Sequence, residues 1–405
     1  MAQPKRILIV DDEEFNRELL EGLVEMFGYV PETACDGQEA LEKITPEIDL
    51  VLLDAMMPGM DGFEVARRTR ANHEVEQIPI VMVTALTSKE DRLRAVEAGA
   101  NDFITKPIDR TELRVRMTSL LKIKEAQDAI KRSEEDLRAR NALMQADLDL
   151  ARAMQEAFIL KQYPNFPPNV ANGESGLSFC HRYIPASTLG GDFFDVLALS
   201  ETQAGVFICD VMGHGVRSAL VTAMMRALVG ERNSAAHDPA KFLEAINRHL
   251  LSILEQANTP MFASAFYFIA DVEKGRICYA NAGHPSAIHV RRSDNTAQWL
   301  LADASLSGPV LGLFPDVTYT SACCDLGADD LLLLFTDGIF EVNNKDNEDD
   351  EFGENRVLEA VRQRVHLPTA QILDQLLIEV RDFAGKDAFE DDVCLIAMEV
   401  SRQDS

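Results

Sequence analysis

The sequence predicts an α/β unit with a doubly wound parallel sheet, then one long helix, then a second unit in which strands and helices are mixed. Three observations carry this. Short continuous apolar runs alternate with helical patterns up to about residue 120, and buried strands alternating with helices form a parallel sheet covered on both faces. From Asp109 to Pro164 there is no Gly and no intervening Pro to break a helix. Beyond it, apolar runs end repeatedly on carboxylates, at Asp192 and Asp195, at Asp210 and at Asp337, and Asp391 and Asp392 precede a further run.

In the first unit, residues 5–10 form a strand that ends on Asp11 and Asp12. A helical pattern follows through Phe15, Leu19, Leu20, Leu23 and Phe27, and Gly28 stops it. Further strands are expected at 50–54, 80–84 and 102–106. Sites in such sheets lie at the carboxyl ends of the strands. Asp11, Asp12, Asp54, Thr84 and Lys106 all fall there. Three carboxylates at one edge repel one another unless a divalent cation lies between them. An Asp held beside Mg²⁺ and a Lys can attack a phosphoryl group and become an aspartyl-phosphate.

This set resembles the receiver domain of two-component response regulators, in the spacing of Asp54, Thr84 and Lys106 and in the pair Lys106-Pro107. The resemblance implies a five-stranded, flavodoxin-like receiver over residues 1–122, with a histidine kinase as partner. It makes Asp54 the phospho-acceptor and places Asp11, Asp12, Asp54 and the Met56 carbonyl around Mg²⁺. Thr84 and Lys106 would contact the phosphoryl oxygens, and Phe103 would occupy the aromatic switch position. A metal-free pseudo-receiver used for docking is the alternative, against which the complete set of side chains speaks.

Residues 123–164 read as a helical linker. Apolar residues recur every seven positions at Ile123, Ile130, Leu137, Met144, Ala151 and Phe158, while the facing stripe is mixed and includes Arg140, Asp147 and Gln155. One good stripe over several heptads suggests a coiled coil between two copies of the chain, weakened by the polar stripe so that it suits a switch. The alternative is an amphipathic helix packed on its own domain. The prolines of the 162–168 segment are expected to end the helix.

The second unit opens with a strand at 177–183. The run 205–209 stops at Asp210 and turns through Gly213 and Gly215. An apolar helix too hydrophobic for a surface follows near 219–229, then a second from Asp238-Pro239 to Glu255, and a hairpin over 263–280. Residues 343–354, NNKDNEDDEFGE, read as an acidic loop, either simply solvated or a flap facing substrate. Singly, an Asp-Gly after a strand is a turn. Several carboxylates at strand ends with no Lys or Arg beside them suit hard cations such as Mg²⁺ or Mn²⁺.

The segments GGDFFD, DVMGHG, NAGHP, FTDGIFE and DDVCLI, in this order, resemble the metal-dependent protein phosphatase superfamily. The similar branch is the bacterial one that dephosphorylates anti-sigma-factor antagonists. The resemblance implies, over residues 165–405, an α+β domain of two packed antiparallel sheets flanked by helices. It implies two or more Mn²⁺ or Mg²⁺ ions on Asp192, Asp210, the Val211 carbonyl, Asp337 and Asp391, with Asp195 and Asp392 behind them. Asp210 and Asp337 would act through a metal-activated water that attacks a phosphoserine or phosphothreonine. His214 could protonate the leaving group, or be an exposed turn residue, and the same two readings apply to His284. The whole reads as a phosphatase controlled by Asp54 phosphorylation, acting on an anti-sigma-factor antagonist. The alternatives are a non-catalytic adaptor that binds a sigma factor or its regulator, and a hydrolase of a phosphorylated metabolite.

With 67 acidic against 39 basic residues and a formal net charge of −28, the chain lacks the basic face that nucleic acid or an anionic membrane surface requires. Its seven cysteines show no metal-site spacing, which fits a reduced cytoplasmic setting. No signal-peptide pattern or membrane-length apolar run is present.

Overall fold

The computed structural model describes residues 4–85, 89–157, 159, 162–170, 175–231, 234–257, 260–300 and 306–401. The chain divides into two compact units, Met1–Leu143 and Met144–Ser405.

The first unit contains β1 (Arg6–Val10), α1 (Glu14–Met26), β2 (Val30–Ala34), α2 (Gly37–Lys43), β3 (Leu50–Asp54), α3 (Gly62–Ala71), β4 (Ile80–Thr84), α4 (Lys89–Glu97), β5 (Asp102–Thr105) and the start of α5 (Arg110–Glu156). The strands lie in the order β2-β1-β3-β4-β5, all parallel. Alternation within each strand divides the core in two. Ile7, Ile9, Leu50, Leu52, Val81 and Val83 pack with Leu20 and Val24 of α1 and with Leu113, Met117 and Leu121 of α5. Leu8, Val10, Val51, Leu53, Ile80 and Met82 pack with Ala40, Phe63, Val65 and Ala66 on the other face. Strand β2, Val-Pro-Glu-Thr-Ala, has no apolar run, and the sequence pattern does not reveal it.

Helix α5 is 47 residues long and stops at Glu156, short of the prolines expected to end it. Ile159 and Tyr163 pack against the core of the second unit instead, so the chain is drawn off the helix axis earlier. Past Leu121 the heptad stripe is bare: Ile123, Ile130, Leu137 and Met144 are 52, 60, 59 and 66% exposed. Those values show that the apolar stripe is not what packs on the first unit, although Lys5 of that unit pairs with Glu125 on another side of the helix. Phe158, the last residue of the stripe, lies outside the described residues.

The second unit contains β6 (Leu177–Ile184), β7 (Asp192–Ala198), β8 (Gln203–Val211), α6 (Val216–Gly230), α7 (Pro239–Gln256), β9 (Ala263–Asp271), β10 (Arg276–Ala282), β11 (Ile288–Arg291), β12 (Thr296–Trp299), β13 (Ser307–Gly308), β14 (Ala322–Asp325), β15 (Leu331–Phe335), β16 (Asn343–Asn344), β17 (Asn347–Glu351), α8 (Gly353–Arg362), α9 (Thr369–Ala384) and β18 (Val393–Val400). One sheet runs β13-β10-β9-β8-β7 with β14 also on β10, and the other runs β12-β11-β15-β18-β6. Phe194, Ile208, Phe266 and Phe268 of the first meet Leu332, Leu334, Ile396 and Met398 of the second. Helices α6 and α7 cover the outer face of the first sheet over Phe207 and Tyr267, while α8 and α9 cover that of the second over Leu333 and Leu395. The result is a helix–sheet–sheet–helix sandwich.

Three expectations change. Helix α6 buries Val221, Met225 and Val229 but leaves Val216 and Leu220 exposed, so it is a surface helix after all. The acidic stretch 343–354 is a hairpin, β16 with β17, leading into α8, and buried Phe352 anchors it against Phe383. Cys278 of β10 and Cys323 of β14 stand opposite each other with Cα atoms 4.1 Å apart and are joined as a disulfide. They are 45 residues apart in sequence, so the pair leaves no spacing signal, and it departs from the reduced setting expected of the seven cysteines. Among the described residues no helix is long and apolar enough to cross a membrane.

Candidate active site

Two acidic centres lie at strand ends, one in each unit. In the first, Asp11 follows β1 and is fully buried, Asp54 closes β3, and Asp12 is exposed. Carboxylate oxygens of these three lie within 4.8 Å of one another. The Lys106 ammonium donates to Asp11 Oδ2 at 2.8 Å and lies 3.2 Å from Asp54 Oδ1. Asp11 Oδ1 accepts from the Glu13 amide and the Asn16 side chain. Burial outweighs the attraction of Lys106 and pushes the Asp54 carboxyl up to about 6. Thr84 is buried at the end of β4, and Met56 is exposed two residues past Asp54. Phe103 is half-buried, with the Arg92 and Arg116 guanidinium carbons 4.8 and 5.8 Å from its ring centre.

The second centre is assembled from both sheets of the sandwich. Asp192 and Asp210 occupy paired positions on β7 and β8. Strands β15 and β18 pair through Phe335 and Leu395, which brings Asp337, just past β15, beside Asp391 and Asp392, just before β18. The approach is close: a Cβ on Gly338 would collide with the Asp392 carbonyl oxygen. The cleft, about 950 Å³, is lined by Asp210, Asp337, Asp391, Glu341, Glu354, Ser264 and His284 among others, and the described lining residues include no Lys or Arg.

These carboxylates hold one another away from their usual state. Burial, then the Asp210 charge, raises Asp192 well above the usual carboxylate range. Burial, then Asp337 and Asp391, pushes Asp210 up to about 7. Burial, then Glu341 and Asp391, pushes Asp337 up to about 6. Asp192 Oδ2 accepts from the Thr336 hydroxyl at 2.6 Å. Its other oxygen, Oδ1, is buried with no hydrogen-bond partner. A buried carboxylate oxygen without a donor, among like charges and without a neighbouring cation, fits a hard divalent ion.

The two adjacent aspartates before β18 are used differently. Asp391 is exposed and lines the cleft, whereas Asp392 is buried and accepts from the Ala186 and Gly191 amides. Asp195 does not sit where the sequence puts it. Three residues from Asp192 along β7 it faces the opposite side of the sheet, where Arg226 of α6 lies 2.9 Å from its carboxylate. There it ties helix to sheet and cannot orient a water among the other aspartates.

His214 is exposed in its glycine turn. His284 is buried, its Nδ1 2.7 Å from Ser264 Oγ. Asn281 clamps this loop by accepting from the His284 amide and donating to the His284 carbonyl. Burial pushes the imidazole down to about 3, so it is neutral near pH 7 and offers an N–H rather than an acidic imidazolium. Residue patterning alone misses Thr336, Asn281 and Ser264, although the first two fall inside the motifs FTDG and NAGHP.

Residues 7–118 match the family model of the response regulator receiver domain, and residues 200–401 match that of Stage II sporulation protein E (SpoIIE). The response regulator PleD of Caulobacter vibrioides is 44% identical over 130 residues, which are 32% of this chain and 29% of PleD. The phosphoserine phosphatase RsbP of Bacillus subtilis is 27% identical over 255 residues, 63% of this chain and 58% of RsbP. The chain thus spans less than two thirds of either relative. The SiaA-PP2C domain of Pseudomonas aeruginosa has the same fold, with a TM-score of 0.54 at 19% identity, over 64% of this chain and 98% of that one.

Proposed function

We propose that this chain, a response-regulator receiver domain followed by a SpoIIE/PP2C-type phosphatase domain, hydrolyses phosphoserine or phosphothreonine on a protein under the control of Asp54. The observation that carries this is the second centre: carboxylates from separate strands of two sheets converge on one cleft whose described lining has no basic residue. Asp192, Asp210 with the Val211 carbonyl, Asp337 and Asp391 are the residues that would hold divalent ions, Mn²⁺ or Mg²⁺. Such ions supply charge neutralisation on the phosphoryl group and a water of lowered pKa.

The chain's own contribution is placement. Thr336 orients Asp192 through Oδ2, leaving Oδ1 free for a cation. Asp392 fixes the Gly191 backbone ahead of Asp192. Ser264 and neutral His284 present polar groups in the cleft lining without adding charge.

In the receiver, Lys106 bridges Asp11 and Asp54. This leaves Asp54 as the nucleophile toward a phosphoryl donor, with Asp11, Asp12 and the Met56 carbonyl around Mg²⁺ and a cognate histidine kinase as the source. The likeness to a phosphoserine phosphatase favours phosphoserine, and the resemblance of the ordered motifs favours a small anti-sigma-factor antagonist as the protein that carries it. The exposed stripe of α5 favours a homodimer through this helix.

Purified chain is assayed for hydrolysis of an aryl phosphate with Mn²⁺, with EDTA and as Asp210→Ala. Turnover that needs the metal and disappears in the variant is expected. Absence of turnover under every condition, phosphodonor included, would remove the phosphatase reading.

A further inference from the structure

The last complete turn of α5 reaches the aspartate centre of its own unit. Gln155 Nε2 donates to the Gly190 carbonyl at 2.6 Å, and the Gly190 amide donates back to Gln155 Oε1 at 3.0 Å. One side-chain amide thus saturates both backbone groups of one residue, as a neighbouring strand would. The next residue, Gly191, donates its amide to Asp392, while its carbonyl accepts from the Val211 amide at 3.3 Å and the Thr222 hydroxyl at 3.1 Å. Asp192 comes immediately after. Gly190 itself has no slack, because a Cβ there would collide with the Tyr183 hydroxyl and lie 2.9 Å from Asp392 Oδ2. Two glycines, held from three sides, therefore set where Asp192 stands.

We infer that Gln155 is a positioning residue that clamps the Gly190-Gly191 loop, and that the regulated quantity in this protein is whether that clamp is closed. The inference rests on the reading of the second centre as a phosphatase site and names the contact through which α5 acts on it. The same helix contributes Leu113, Met117 and Leu121 to the receiver core and is continuous to Glu156. A rotation or shift of its final turn moves Gln155 with it. An amide that must meet both N–H and C=O of Gly190 tolerates little such movement, since hydrogen bonds weaken steeply with angle. Gln155 belongs to the polar stripe that weakens heptad pairing; its contact with the loop accounts for a polar residue at that position.

The test uses the full chain as wild type, as Gln155→Ala and as Gln145→Ala, a control on an exposed side chain of the same helix whose amide donates to Asp149 one turn on. Hydrogen exchange is followed in peptides covering residues 186–196, without metal and with or without a small phosphodonor, and Mn²⁺ half-saturation of aryl phosphate hydrolysis is measured in parallel. Gln155→Ala is expected to speed exchange in this segment and to weaken Mn²⁺ half-saturation by about tenfold, as loss of a residue behind a metal ligand does. It is also expected to abolish the change that the phosphodonor causes in wild type, while Gln145→Ala behaves as wild type. Exchange and Mn²⁺ half-saturation unchanged in Gln155→Ala overturn the inference. If no protein turns over substrate yet exchange in the segment still depends on Gln155 and the phosphodonor, the clamp stands and the phosphatase reading falls.

Discussion

The two acidic centres solve the same electrostatic problem in opposite ways. In the receiver, three carboxylates crowd within 4.8 Å, but Lys106 lies among them and bonds two. In the sandwich, the aspartates spread round a cleft with no basic residue in its described lining, and Asp192, Asp210 and Asp337 are all driven up by burial first and by neighbouring carboxylates second. The first centre carries part of its own counter-charge and suits reversible occupancy by a small ion and a phosphoryl group. On the proposed reading the second depends on external cations, so whatever moves its aspartates would also change its metal affinity. Control is more effective at the centre that cannot neutralise itself.

The comparison breaks most visibly in activity. Asp210→Ala should lower aryl phosphate hydrolysis by at least about a hundredfold, while Asp54 still takes up a phosphoryl group, read by intact mass with a phosphodonor. Loss of both in the one variant would mean that the centres are not chemically separate.

Stability of the metal-free protein sharpens the contrast. The Asp210 carboxyl is raised in the folded state, so it costs stability as pH rises from about 4 to about 7, and that cost persists above. Asp210→Asn should therefore stabilise the chelated protein at pH 8, by about 1 kcal/mol in urea unfolding. Asp11→Asn should do the reverse by a similar amount, since it removes an acceptor from half-buried Lys106. The same sign for both would erase the distinction drawn between the centres.

A further effect lies outside the aspartates and is confined to acid pH. His284 is depressed from 6.5 to about 3 on folding, so its contribution is intact above 6.5 and is lost as pH falls below that value. By linkage the loss at pH 5 is about 2 kcal/mol. His284→Gln should flatten that part of the pH–stability curve of the second unit. An unchanged slope would show that the imidazole is not held neutral.

Much of this was legible because carboxylates that follow apolar runs announce themselves. Asp54 after Leu50-Val-Leu-Leu and Asp337 after Leu331-Leu-Leu-Leu-Phe-Thr mark strand ends, and strand ends are where both centres lie. What escaped depends on contacts between distant residues or on strands without an apolar signal. Asp195 and Arg226 lie on different elements, so the sequence could not show that this Asp faces a helix. Cys278 and Cys323 become neighbours only through β10 and β14. Strand β17 is Asn-Glu-Asp-Asp-Glu, with nothing to bury, and resembles a loop until its partner is placed. Gln155 was visible only as a weak heptad position; its partner is a glycine backbone, which has no side-chain signature.

The central claim is that the state of Asp54 sets the rate at the second centre. Hydrolysis of an aryl phosphate with saturating Mn²⁺, with and without a small phosphodonor, compares wild type with Asp54→Ala most directly. The account predicts that the phosphodonor changes the wild-type rate several-fold and leaves the Asp54→Ala rate unmoved. Equal responses in the two proteins, or none in either while hydrolysis proceeds, would contradict it.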